Sequence, residues 1–438
     1  TATFTANVED IYITKFNSSG DFVWVKTIGG ADVERANSVV VDTSGNVYVG
    51  GSFASATDFD PGAGITTLTP PASGRDAFIL KLNSAGTFQW VKQITGPNVG
   101  GQKWVYSLAA TSTGLYASGD FTLTADFDPG AGTANLVSSG GTDAFIAKYD
   151  LDGNYQWAKS FGAAGSDTVT NRSLAADSSG VYAVGAFQGT VNFNSAGTAN
   201  LSSANINTYD AFFLKLDDQG AYQWATNVGD EAWGVAVDAA GGYVYSTGTF
   251  SGTQDFNPGA GTSNLTATLK GSYVLTLNTD GTFVRAVKFD GTYNEEGRKI
   301  TVDSSGNVLA TGKFGGNNDA VDFDPGSGTA TLSGPGVPDE YVVKLTRSGA
   351  YVWARQFAYS DSADIMAITT DASDNAIVSG HWYGTLDLDV SAQSGVFSGG
   401  VSNATSSTPA SMTYDAFIAK MARDTGYTDT TAPTCSLS

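Results

Sequence analysis

Five stretches of this 438-residue chain set acidic or amide side chains two residues apart around a phenylalanine. D-F-D-P-G-A-G stands at Asp58–Gly64 and Asp126–Gly132, and D-F-D-P-G-S-G at Asp322–Gly328. Asn replaces Asp in the variants Asp255–Gly261 and Asn192–Gly197, and a sixth stretch keeps only Asp387 and Asp389. In extended backbone, residues i and i+2 share a side roughly 7 Å apart. Two carboxylates so placed repel unless a cation or hydrogen-bond donors lie between them. Ca²⁺ accepts carboxylates and backbone carbonyls in flexible geometry. Asp58, Asp60, Asp126, Asp128, Asp255, Asp322, Asp324, Asp387 and Asp389 are therefore candidate calcium ligands. The same residues also spell an ordinary turn, with Asp first, Pro fixing φ and Gly supplying positive φ. That second reading lets the Phe pack on the strands and expects Gly62 and Gly130 at positive φ.

Other catalytic chemistry is sparse. His381 is the one histidine and Cys435 the one cysteine. A zinc cluster, a disulfide framework and a Ser-His-Asp set are excluded on those counts. Hydrolysis by a carboxylate pair needs no histidine. Its candidates stand in the irregular links between repeated segments, which carry Glu34, Arg35, Trp104, Arg172, Glu231, Trp233, Glu295, Glu296 and Arg298. Links that differ on a repeated scaffold are where specificity sits. Two functions follow: a non-catalytic binding or spacer module, and a polysaccharide hydrolase or lyase. The second requires Glu34, Glu231 and Glu295 to converge. With 43 acidic against 22 basic residues and a net charge of −21, nucleic acid is excluded as a partner. No apolar run is long enough to span a bilayer, and residues 1–9 do not read as a signal peptide.

The elements that must position these residues repeat. D-A-F-I-L-K-L begins at Asp76, and copies begin near 10, 143, 210, 271 and 339, with a partial one at 415. A turn around Gly20, Gly86, Gly153, Gly220, Gly281 or Gly349 follows. Next comes a strand carrying Trp24, Trp90, Trp157, Trp224 or Trp353, with Arg285 in the fifth place. An alternating hairpin precedes each D-A-F strand, as in S-V-V-V-D-T-S-G-N-V-Y-V-G-G-S-F ending at Phe53, with copies ending at Phe121, Phe187, Phe250, Phe314 and Trp382. Four strands per repeat, none able to bury both faces alone, predict an all-β chain, a β-propeller of four-stranded blades. Six hairpins predict six blades, with seven the alternative. The N-terminal strands at 10–28 are expected to close the fold by completing the sheet of the last hairpin, 364–382, although 415–421 competes for that place. The Trp column is expected to pack blade on blade, and Lys81, Lys148 and Lys215 to lie exposed on outer strands.

The D-A-F-I-x-K strands and V-D-x-S-G-N-V-Y hairpins resemble the bacterial SBBP propeller repeats over about residues 10–421. That resemblance implies a propeller of a secreted or cell-surface protein, mostly without assigned activity. A glycan or protein partner at a cell surface and adjacent domains in the same polypeptide go with it. The propeller is assigned to 1–423. The tail 424–438, with D-T-T-A-P-T-C, resembles the opening of a bacterial Ig-like module, or is a linker.

Overall fold

The computed structural model describes residues 9–421 except 98, 163–168, 195, 205–207, 317–318, 335–336, 360–361, 384, 388–402 and 406–414. Every regular element among them is a strand, so no helix is long and apolar enough to cross a membrane. The tail assigned to 424–438 lies outside the described residues, as does Asp389. The chain divides into two compact units, Thr1–Asn227 and Val228–Ser438.

The fold is an all-β propeller of antiparallel, four-stranded blades. In the first unit a hairpin, Ile11–Phe16 with Phe22–Ile28, precedes three blades. Blade one is Glu34–Val41, Val47–Phe53, Asp76–Leu82 and Phe88–Ile94. Blade two is Lys103–Ala110, Leu115–Asp126, Asn135–Tyr149 and Tyr155–Phe161. Blade three is Val169–Asp177, Gly180–Phe187, Asp210–Asp217 and Tyr222–Asn227. The second unit holds blade four, Glu231–Asp238, Tyr243–Asp255, Asn264–Asn278 and Phe283–Phe289. It holds blade five, Glu296–Val302, Val308–Phe314, Asp339–Leu345 and Tyr351–Phe357. Blade six has three described strands, Ser362–Thr370, Ala376–Tyr383 and Asp415–Met421. Six inner hairpins stand among the described residues, and strands pair in chain order. Among the described residues, the strands of 10–28 and of 364–382 belong to separate sheets, where one sheet was expected. Asp415–Met421 takes the third place beside Ala376–Tyr383, and the N-terminal strands pair with each other.

Local chemistry explains the repeated letters. The hairpin-turn carboxylate of Asp42 accepts the N–H groups of Ser44 and Asn46, the Asn46 amide and the Tyr48 hydroxyl. Asp303 does the same for its own turn and also meets Lys344 at 3.0 Å, both side chains buried. Lys81, Lys148 and Lys215 are likewise interior, correcting the expectation that they are exposed. Lys81 donates to the Leu151 carbonyl at 2.7 Å in the next blade's turn, and Lys148 pairs with Asp218 in the turn of the blade after its own. Lys215 lies 3.6 Å from the Tyr182 ring centroid and bonds Ser179 at 2.7 Å. An ammonium can be buried here because turn carbonyls, carboxylates and aromatic faces converge on it.

Trp90 and Trp157 pack against the turn of the next blade, as expected. A Cβ on Gly220, the positive-φ turn glycine of blade three, would lie 2.7 Å from the indole of Trp157 in blade two. In the second unit Arg285 takes the Trp position, lies against Gly349 and donates to the Arg347 carbonyl. Within blades one to five, the Phe of the acidic turn completes a ring cluster. Phe59 sits 5.2 Å from Phe53 and 4.8 Å from Phe78, and Phe127, Phe193, Phe256 and Phe323 are buried likewise.

Candidate functional site

Every first strand carries a β-bulge at the same register position. The extra residue is Asn37 in blade one, Tyr106 in two, Arg172 in three, Trp233 in four, Arg298 in five and Met366 in six. A bulge places two residues opposite one and re-aims the side chains around it. The cause is visible in the second strand, in the Gly of Gly-x-Phe or Gly-x-Trp. A Cβ on Gly51, Gly119, Gly248, Gly312 or Gly380 would run into the first-strand carbonyl of Arg35, Trp104, Glu231, Glu296 or Asp364. Only glycine lets the two backbones approach so closely. The framework is therefore fixed by glycine, while the displayed side chains differ from blade to blade.

In the first unit the bulges are tied side by side. Ser38 Oγ accepts the Leu108 N–H and Ser107 Oγ the Leu174 N–H, both at 3.0 Å. Asn37 donates to the Val105 carbonyl at 2.8 Å. Trp104 and Tyr106 stack with centroids 6.4 Å apart and planes 7° from parallel. Burial pushes the Tyr106 hydroxyl up to about 12, Asp120 adds to that, and Arg172 and Arg75 oppose it. Arg35 is exposed and grips Glu9 with Nε and Nη2, at 2.7 and 3.1 Å. Arg75, not foreseen from the sequence, donates to the Val33 carbonyl and Ser52 Oγ.

The second unit displays a different set. Trp233 Nε1 donates to Glu231 at 3.0 Å. Arg298 joins Glu296 at 3.0 Å and also pairs with Asp364, which further holds Lys313 at 2.8 Å and faces His381 at 3.4 Å. Burial works to raise the Asp364 carboxyl. The His381 and Lys313 hydrogen bonds with the Arg298 charge overcome that and hold it well below the usual range. Beneath them Glu340 is wholly buried. Desolvation pushes it up to about 8, against the pull of Arg298 and Lys313. Lys313, Glu340 and Asp364 were not legible as site residues, because they lie inside strands that read as scaffold.

Two of the sequence candidates, one in each unit, are buried. Glu34 is buried and accepts the Gly30 N–H at 2.8 Å and the Thr57 hydroxyl at 3.0 Å. Glu295, at the equivalent position in blade five, accepts the Gly291 N–H at 3.0 Å, and burial pushes it up to about 7. Both tie the loop before the first strand. Arg35, Trp104, Arg172, Glu231, Trp233, Glu296 and Arg298 stand at or beside the bulges.

The acidic turns cap themselves. Asp58 Oδ1 accepts the N–H groups of Asp60 and Thr66 at 3.1 and 2.8 Å, and Asp60 Oδ1 accepts that of Gly62 at 2.8 Å. Asp126/Asp128 and Asp322/Asp324 repeat this geometry, and so do Asp255/Asn257 and Asn192/Asn194. Because Asn does the same work, the turn needs an acceptor oxygen and not a charge. Each turn contributes two carboxylates at most, so a Ca²⁺ there would draw on backbone carbonyls and waters for the rest of its six to eight oxygens. Among the described residues no group of three or more His, Cys, Asp or Glu could hold a metal. The Asp387 side chain lies outside the described part. Gly62 and Gly130 have ordinary φ, contrary to expectation. Gly64 and Gly132 are the constrained positions, since a Cβ there would meet the Asp60 or Asp128 carboxylate.

The repeated blades define a β-repeat protein with variable residues at a constant bulge position. No family model matches the chain. It is 23% identical over 437 residues to an uncharacterized WD repeat-containing protein of Acanthamoeba polyphaga mimivirus, with 86% of this chain and 31% of that protein covered. It is 26% identical over 167 residues to the regulatory protein FlaEY of Caulobacter vibrioides, covering 37% of this chain and 17% of that one. The chain thus spans less than a third of either relative. Among solved structures, the Dos1 propeller aligns with 83% of this chain and 78% of its own, at 9% identity and a TM-score of 0.36. The extracellular domain of a one-component system from B. thetaiotaomicron aligns with 80% of this chain and 38% of its own, at 12% identity and a TM-score of 0.34.

Proposed function

We propose that this chain is a non-catalytic protein-interaction propeller and that, in each unit, the bulged ends of the first strands are contact surfaces. The observation that carries this reading is the single bulge position, repeated in six blades and occupied by six different displayed environments. A WD repeat-containing relative supports it. Glu34 and Glu295 each accept a hydrogen bond from the loop before their own first strand, which supports a loop-holding role for both. The acidic composition and the SBBP resemblance support a place outside the cytoplasm, in a larger surface protein, and the near absence of cysteine is compatible with it.

Affinity capture from extracts of the source cells tests the reading. The wild-type chain is compared with Trp104→Ser/Trp233→Ser and with Ile65→Ser, an exposed residue of an acidic turn. Loss of the captured proteins only with the first variant supports the face. Equal capture by all three overturns it.

A further inference from the structure

We infer that, on the interaction face proposed above, the bulges of blades one to three form a docking site for an acidic peptide segment. This inference rests on that reading and names the partner's chemistry. The whole first unit contains three arginines, Arg35, Arg75 and Arg172, and all three stand at this end of the first strands. Arg172 is itself the bulge residue of blade three, and Arg35 precedes the bulge of blade one. Arg75 reaches Ser52, the register partner of Arg35. In a chain with 43 acidic and 22 basic residues, this gathering runs against the general charge.

The site also shows how it takes a carboxylate. Glu9 is held by Arg35 through two parallel N–H···O bonds, the fork geometry that suits a planar guanidinium. Both side chains are half or more exposed, at 58% and 50%, so the pair is weak and an incoming carboxylate can exchange with Glu9. Between Arg35 and Arg172 lie the parallel rings of Trp104 and Tyr106, an apolar surface for the peptide's backbone and aromatic side chains. Of the other acids beside these arginines, Glu34, Asp76 and Asp120 are buried and Asp32 is exposed. A long polyanion such as nucleic acid would meet the field of a chain at net −21, whereas a short acidic segment meets mainly the local arginines.

Fluorescence anisotropy with the full chain tests this. The probes are a fluorescein-labelled peptide of four glutamates around a tyrosine, its lysine counterpart and a short single-stranded DNA. Saturable binding of the glutamate peptide is expected, weakening as salt rises. It should fall about tenfold or more with Arg172→Gln and with Arg35→Gln, and stay unchanged with Ile65→Ser. Arg35 is exposed, so its variant keeps the test open if Arg172→Gln unfolds. No saturable binding, or equal affinity in the arginine variants, overturns the inference. Binding of the lysine peptide, lost with Glu231→Gln and Glu296→Gln, overturns it while leaving the interaction face standing. Binding of the DNA in its place overturns the choice of a peptide.

Discussion

The ammonium of Lys103 sits 2.9 Å from the carboxylate of Asp76, and neither side chain touches solvent. Asp76 opens a D-A-F strand, and Lys103 opens the first strand of the next blade. The second Asp76 oxygen accepts Gln93 Nε2 at 2.7 Å. One carboxylate therefore ties the third and fourth strands of blade one to blade two. Removing one partner of a buried pair leaves an uncompensated charge, at about 3–5 kcal/mol. Lys103→Met should cost that much in urea unfolding. Lys103→Met/Asp76→Leu should recover most of the loss, because replacing both charges removes the desolvation penalty. A double variant as unstable as the single would contradict the account.

Gly220 and Trp157 make a second inter-blade contact. Gly220 has φ 75°, and an alanine there adds a left-handed residue at about 1–2 kcal/mol together with a clash against the indole. Gly220→Ala should lower Tm by several degrees, and Gly62→Ala, at ordinary φ, by less. Equal shifts would show that turn strain and Trp packing do not govern this contact.

Stability of the second unit should depend on pH. Burial raises Asp339 to about 7, Glu340 to about 8 and Glu295 to about 7. Between an unfolded carboxylate's range near 4 and these values, the folded state binds more protons than the unfolded one. Stability is then fully present below about pH 4 and is lost as pH rises through 7 to 8. Thermal unfolding from pH 5 to 9 should show this fall, and Glu340→Gln should flatten it. A rise in stability toward pH 9 would contradict the assignment.

Calcium removal should leave the unfolding curve unchanged. The turns are capped by Oδ1–backbone bonds that Asn192 and Asn257 also make. Asp60→Ala should cost about 0.5–1.5 kcal/mol for the lost hydrogen bond, with or without chelator. A lowered Tm on chelation would support the calcium reading instead.

The repeat, strand order and Trp packing were legible because each is a local pattern copied many times. Direction of burial was less so. Lys81 stands in an alternating strand and reads as outward-facing, but its partner, the Leu151 carbonyl, is 70 residues away. Val39 and Leu108 hold equivalent positions after the bulge, yet Val39 is 60% exposed and Leu108 4%. Leu108 packs over Gly50 of the preceding blade, a contact no single-strand pattern contains. The Gly-x-Phe signature was visible as a strand end. Its role in admitting a bulge needed the paired register, and so did the gathering of Arg35, Arg75 and Arg172.

The most direct test of the contact face is a site-specific photo-cross-linking scan. A benzophenone side chain is placed at the bulge positions Asn37, Tyr106, Trp233 and Met366, and at the acidic-turn positions Ile65, Ala131, Thr262 and Ser327, in the native cellular mixture. The account predicts cross-linked partner protein from the bulge positions and none from the turns. Cross-links confined to the turns, or spread evenly over both sets, would contradict it.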